Sequence, residues 1–235
     1  MIKVVLFDLD GTLLPMDQEK FIKAYLGGMS KKLMPHGYEP NQLLKGIGAG
    51  IKAMVENDGS ATNEEVFWKS FSAIVGEQVR EDEPVFYDFY QNEFQEVKHS
   101  CGYEEASRKV IDRLKEKEMR IVLATNPLFP AIATESRIRW AGLVPEDFEL
   151  YTTYENSSFC KPNPKYYEEI LEKLGVTAKE CLMIGNDVTE DMVAESLGMK
   201  VFLLTNCLIN KENKDISIYP NGGFSELMAF LETVC

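Results

Sequence analysis

The stretch Val4–Pro15, VVLFDLDGTLLP, decides how this chain is read. Four apolar residues, Val4 to Phe7, run straight into Asp8, and a second carboxylate, Asp10, follows two positions later, before Gly11 and Thr12. A short unbroken apolar run of this kind is a strand buried on both faces, as in a parallel sheet. Burying a carboxylate costs several kcal/mol or more unless it is paired or bound to a metal. Two carboxylates at the end of such a strand therefore predict a site in which cations meet them.

The rest of the composition bounds the answer. The chain has 235 residues, 45% hydrophobic and 27% charged, which suits a soluble α/β core with room for an insertion. Its net charge is −13 and it has no dense Lys/Arg block, which argues against nucleic acid or an anionic membrane as its main partner. A small anionic substrate remains compatible, because one local cation reverses the field of a site. No apolar run approaches the roughly 18 residues of a membrane span, and no signal-type run precedes Ile2, so a cytoplasmic protein is expected. The five cysteines are odd in number and form no CxxC pair, which predicts reduced thiols. Cys160, although next to Lys161, is expected to be a structural thiol.

Beyond the first strand the texture changes twice. From about 18 to 100 it is helical and rich in aromatics, with amphipathic segments at KFIKAYLGGM, NEEVFWKSFSAIVG and PVFYDFYQNEFQEV. MPHGYEPNQ and ENDGSATN read as the loops between them. After Cys101, helix and strand alternate. A helix is expected over 104–117, then strand RIVLAT (120–125), a helix near 130–141 and strand FELYTTY (148–154). A helix from Pro164 to Leu174 follows, with Asn163 as its N-cap and Gly175 after its end. Strand CLMIG (181–185), a helix closed by Gly198, strand VFLLT (201–205) and a helix near 225–233 complete the chain. This alternation predicts a parallel sheet with right-handed crossovers. Residues 1–14 and 101–235 would form the α/β core domain, and 15–100 a helical domain inserted beside Asp10.

Polar signals recur where these strands end: Asp8 and Asp10, then Thr125 and Asn126, then Asn186, Asp187 and Asp191. Lys161 lies in the loop after FELYTTY, just before a helix. Ligands of open α/β sheets bind outside the carboxyl ends of the strands. In the order DLDGT, ATN, KPNP, GNDVTED, the chain resembles the haloacid dehalogenase superfamily, most of whose members are Mg-dependent phosphatases. The resemblance covers the α/β core, and the insertion is similar to the family's C1 cap in position and helical character.

The resemblance implies a Rossmann-like three-layer fold with strand order 5-4-1-2-3, which brings Asp187 beside Asp8. It also implies that Asp8 attacks phosphorus to form an aspartyl-phosphate, while Asp10 serves as general acid and then base. Mg²⁺, a hard ion suited to oxygen ligands, would be held by Asp8, the Asp10 backbone carbonyl and Asp187. Thr125, Asn126 and Lys161 would bind the transferring phosphoryl group. One departure stands out. Many relatives have Gly-Asp in the fourth motif, whereas Asn186 here separates Gly185 from Asp187. Counting back from Asp191, either Asp187 or Asn186 aligns with the family's first acid. The charged oxygen favours Asp187 as metal ligand, which leaves Asp191 to orient Lys161 or a metal-bound water. Asn186 could add its amide oxygen.

Plainer roles exist for the same residues. Asp-Gly is a common turn dipeptide, Thr125 and Asn126 suit a strand end and helix cap, and Asp187 with Glu190 forms a capping-box pattern. GIGAG (46–50) has no strand before it and no GK[ST] after it, so it reads as close helix packing or a bend and not as a phosphate loop. The aromatics of the insertion are expected to form its core, with one or two facing substrate.

The function expected is hydrolysis of a small phosphorylated metabolite by a monomer or homodimer. A sugar phosphomutase on the same scaffold is the alternative. Dehalogenation and phosphonate cleavage do not account for Asp10. A non-catalytic, receiver-like phosphate-binding module does not account for two aspartates on the first strand or for the insertion.

Overall fold

A computed structural model describes all of residues 1–235. In chain order its principal elements are β1 (Val4–Phe7), α1 (Gln18–Leu33), α2 (Pro40–Val55), α3 (Asn63–Val75), α4 (Glu83–Gln91), α5 (Glu105–Glu116), β2 (Arg120–Leu123), α6 (Ala131–Trp140), β3 (Leu150–Tyr151), α7 (Pro164–Leu174), β4 (Cys181–Gly185), β5 (Lys200–Leu204), β6 (Asn221–Gly222) and α8 (Phe224–Val234). The six strands are parallel and ordered β3-β2-β1-β4-β5-β6. The expected 5-4-1-2-3 sheet is therefore present, with one further two-residue strand beyond β5.

The two-residue alternation of a strand divides the sheet between two apolar layers. Val5, Phe7, Ile121, Leu123, Leu182 and Ile184 pack on one face with Val110, Ile111 and Leu114 of α5, Ile138 of α6 and Leu227 and Leu231 of α8. Val4, Leu6, Val122, Cys181, Met183 and Val201 pack on the other with Tyr166, Tyr167 and Ile170 of α7. Every residue of β1 is buried, because helices cover both faces, and so it reads as a continuous apolar run. α7 begins and ends where its caps require. Asn163 accepts a hydrogen bond from the Lys165 amide at 3.1 Å, and Gly175 turns left-handed at φ +66°.

Two expected elements are shorter. Of FELYTTY only Leu150 and Tyr151 pair with β2; the ladder ends where the Thr152 amide donates to the Leu123 carbonyl at 3.0 Å, and the Thr152 hydroxyl donates to the Thr125 carbonyl at 2.6 Å. The helix expected between β4 and Gly198 is a turn followed by 3₁₀ turns over Met192–Leu197.

In the insertion, α2 was not anticipated as a helix, and GIGAG lies inside it. Gly46 and Gly50 face α3, where an added Cβ would come within 2.9 Å of Phe71 at Gly46 and 2.4 Å of Phe67 at Gly50. The stretch is a close helix–helix contact and not a bend. The helix expected across 84–97 stops at Gln91, and 3₁₀ turns over Glu93–Ser100 continue it. The two ends of the insertion meet: Met16 and Cys101 form an antiparallel bridge, and the Gly102 amide donates to the Pro15 carbonyl at 2.7 Å. α1–α4 thus leave and re-enter next to the loop that carries Asp10. No helix is long and apolar enough to cross a membrane.

Candidate active site

β1 and β4 are neighbours, with Phe7 in register with Ile184, so the residues after both strands emerge side by side. Asp8 follows β1 and is buried. Its Oδ1 accepts a hydrogen bond from Lys161 Nζ at 2.9 Å, and Lys161 Nζ also donates to Asp191 Oδ1 at 2.6 Å. Both Lys161 and Asp191 are 1% exposed. Burial works against a charge on Lys161, but the carboxylates of Asp191 and Asp8 hold its pKa well above the usual lysine value, so it stays protonated. Burial pushes the Asp191 carboxyl up to about 6 against the opposing pull of Lys161. Asp8 is likewise raised by burial, with Lys161 opposing. The lysine is the fixed cation that the opening stretch required.

Asp191 also supports the loop before it. Its Oδ2 accepts from the Asp187 amide at 2.9 Å. Gly185 makes this possible, since a Cβ there would lie 2.1 Å from Asp191 Oδ2. Asp187 Oδ1 accepts from the Thr189 and Glu190 amides at 2.7 and 2.9 Å, which is its capping role, while its second oxygen has no partner. Asn186 ties the two motif loops together. Its Oδ1 accepts from the Thr12 hydroxyl at 3.0 Å and its Nδ2 donates to the Cys207 carbonyl at 2.7 Å. The same hydroxyl lies 3.4 Å from Asp8 Oδ2, so the Asn186 and Asp8 oxygens border one spot. Gly11, at φ +90°, gives Asn186 its space, because a Cβ there would sit 2.3 Å from Nδ2.

Thr125 and Asn126 follow β2. The Thr125 carbonyl is held by the hydroxyls of Thr152 and Tyr166, and its own hydroxyl has no partner. Asn126 Nδ2 donates to Glu190 Oε2 at 3.0 Å, linking this loop to the one after β4. Burial lifts the Glu190 carboxyl to about 7. The backbone amides of Asp10 and Asn126 donate to nothing within the protein. Two unsatisfied N–H groups and a free hydroxyl thus follow β1 and β2, the kind of donors that an anion takes up.

The oxygens present suit a hard divalent cation. The Asp10 carbonyl accepts no hydrogen bond, Asp187 keeps one oxygen free, and Asp8 Oδ2 has only its long contact with Thr12. No three carboxylate, imidazole or thiol side chains cluster into a ready-made cage. Such a site fits an ion that binds through one or two carboxylates together with carbonyls, substrate and water, as Mg²⁺ does.

Arg137 of α6 was not singled out from the sequence. It is fully buried, pairs through Nη1 with Asp10 Oδ2, donates to the Ala133 carbonyl and Thr134 hydroxyl, and stacks on Phe129 at 4.4 Å. Burial raises the Asp10 carboxyl and Arg137 opposes it, while Asp10 Oδ1 is buried without a partner. A lone arginine between Glu135 and Arg139 looks like part of a solvated helix face, so only the fold reveals its position. All five cysteines are free, and burial pushes the Cys160 thiol up to about 12, in keeping with a structural role.

Asp8, Asp10, Thr125, Asn126, Asn186, Asp187 and Asp191 all border one cavity of about 1280 Å³, roofed by α1–α4. Lys161 is not on its wall and pairs with Asp8, which is.

Known proteins share this architecture. The phosphoglycolate phosphatase of Colwellia psychrerythraea is 24% identical over 86% of this chain and 84% of its own. The fold is shared with a phosphatase from Thermococcus onnurineus (TM-score 0.62, 20% identity, 98% of each chain). It is shared equally with a 2-haloacid dehalogenase from Pseudomonas syringae (TM-score 0.64, 18% identity, all of each chain), so fold alone does not choose the reaction. The model of the haloacid dehalogenase-like hydrolases matches residues 2–198, and the chain belongs to that family of hydrolases.

Proposed function

We propose that this protein is a Mg²⁺-dependent phosphatase that cleaves a phosphate monoester through an aspartyl-phosphate on Asp8, with the helical segment 15–100 as its cap. The observation that carries the reading is the pairing of Asp8 with a protonated, fully buried Lys161 beside a second aspartate, next to free amides and a free hydroxyl. A dehalogenase has no use for Asp10, since halide leaves without a proton.

The Asp8 carboxylate forms a bond to phosphorus as the bond to the leaving oxygen breaks, and Asp10 gives its proton to that oxygen. Asp10 then removes a proton from water as the water attacks the phosphorus of the aspartyl-phosphate, which releases inorganic phosphate and restores Asp8. Lys161, the Thr125 hydroxyl and the Asp10 and Asn126 amides hold the phosphoryl oxygens, the help that phosphoryl transfer chiefly needs. Asp8, the Asp10 carbonyl and Asp187 would hold the metal, with the Asn186 oxygen adjacent. Held there, the ion would neutralise charge between the carboxylates and the phosphate. Asp191 keeps Lys161 aimed at Asp8.

The test is phosphate release from p-nitrophenyl phosphate with and without Mg²⁺, for the wild type and Asp8→Asn. Release that needs Mg²⁺ and vanishes in a folded Asp8→Asn protein is the expected result. A wild type that turns over a sugar phosphate to its isomer without releasing phosphate would favour the mutase.

A further inference from the structure

The cavity above Asp8 has an unusual charge pattern. Arg80 is the only cation on its wall, and that guanidinium is already paired with Glu83 at 2.7 Å and stacked on Trp68 at 4.8 Å. Lys161 is committed to Asp8 and Asp191, and Arg137 to Asp10. Carboxylates are abundant by comparison. Glu64, Glu135 and Glu155 also line the wall. Glu135 is paired with Arg139 and Glu155 accepts from the Ala131 amide, whereas the Glu64 side chain has neither an ion-pair nor a hydrogen-bond partner. Burial and the neighbouring carboxylates of Glu155 and Glu83 raise its pKa.

The same wall is apolar. Phe21, Tyr25, Ile47, Phe67 and Trp68 border it from α1, α2 and α3. Ile22, Leu44, Ile51 and Tyr87, among the few large apolar side chains of the molecule that stay exposed, also border it. Exposed apolar groups gathered at one concave surface mark a ligand-facing surface. A leaving group carrying a carboxylate or second phosphate would lie against apolar groups and beside like charges, with the one cation of the wall, Arg80, shared with Glu83, which is unfavourable. A small diacid would also leave most of a 1280 Å³ cavity unfilled.

From this cavity we infer that the substrate is a phosphate monoester of an uncharged apolar or aromatic alcohol, without a second anionic group. The inference rests on the phosphatase reading above and narrows it. It separates this chain from its phosphoglycolate-cleaving relative, whose substrate carries a carboxylate on the leaving group.

The test compares kcat/KM for phenyl phosphate, 4-carboxyphenyl phosphate and 2-phosphoglycolate at one Mg²⁺ concentration and ionic strength. Phenyl phosphate is expected to be at least tenfold better than either acid, although the carboxyphenolate is the better leaving group in water. Equal or higher kcat/KM for either acid overturns the inference and leaves the phosphatase reading standing. Ile51→Lys places a cation on the exposed part of the wall, away from the reacting groups, and is expected to shift the phenyl to carboxyphenyl ratio at least fivefold toward the acid. An unchanged ratio overturns the charge argument. Absence of phosphate release from every ester, p-nitrophenyl phosphate included, overturns the phosphatase reading itself and this inference with it.

Discussion

Arg137 and Asp10 form the contact that most sharply tests how this site is held. Replacing Arg137 with Met keeps much of the apolar stem but leaves the Asp10 carboxylate buried without its cation. Breaking a fully buried pair from one side costs about 3–5 kcal/mol. Asp10 keeps 22% of its side chain exposed, and the charge of Lys161 acts on it as well, so about 2–3 kcal/mol is expected from the lost pair. Loss of the guanidinium stack on Phe129 adds about 0.5–1 kcal/mol. Arg137→Met should therefore cost about 3 kcal/mol, or roughly 6–12 °C in Tm for a chain of this size. Asp10→Asn should cost about 2 kcal/mol, because it strands the guanidinium instead. The double variant should cost about 2–3 kcal/mol, well short of the sum, since neither charge is then left alone. Urea unfolding of the four proteins, in metal-free buffer near neutral pH, measures the coupling directly. Costs that simply add, to within about 0.5 kcal/mol, would refute the claim that Arg137 exists to compensate Asp10. Arg137→Lys should fall between, because a point charge cannot reproduce the fork and the stack together.

Other consequences follow from single contacts. Asp191→Asn should lower kcat at least tenfold with little change in KM, because Lys161 loses the carboxylate that aims it; kinetics matched to an unfolding curve check this. Asp187→Asn should raise the Mg²⁺ concentration for half-maximal activity by about tenfold, more than Asn186→Ala does, and the reverse order would give the metal to Asn186. Gly50→Val should destabilise the insertion by about 1–3 kcal/mol, because its branched side chain meets Phe67, and unfolding monitored by tryptophan fluorescence reports it. Asp147 gives a pH signature far from the site. Burial alone would raise its carboxyl, but Arg108, Lys115 and the Val144 amide hold it below the usual carboxylate range. Its contribution is therefore present above the unfolded-state pKa and is lost as pH falls through the folded-state value. Asp147→Asn should cost about 2 kcal/mol near pH 7 and progressively less in acid, and a pH-independent cost would contradict the assignment.

What could be read from the chain follows from what each feature depends on. β1, β4 and α7 depend on local pattern alone: unbroken apolar runs, and an Asn-Pro start with a glycine stop. The chain shows them within a residue or two. The polar residues after β1, β2 and β4 were legible for the same reason, because a charge at the end of a fully apolar strand conflicts with its surroundings and so draws notice. α2 was hidden by its glycines, which weaken any helical pattern, yet Gly46 and Gly50 are there because Phe67 and Phe71 of α3 need the space. Arg137 is the opposite case. Nothing in ATESRIRWAG distinguishes it from Arg139, which stays on the surface with Glu135, because the difference lies in Asp10, 127 residues away. A buried cation is costly in isolation and is stable here only with its anion, so neither partner's position follows from its own neighbours in sequence. The same applies to the cavity wall. Phe67 and Trp68 read as core; Trp68 is core and Phe67 is half-buried against it, but both also face the cavity, and the lack of a free cation around them is a property of four helices brought together, which no single segment carries. The polar residues of the site are thus written in short motifs at strand ends, while the cavity wall above them is written in long-range contacts that exist only where α1–α4 pack over the sheet.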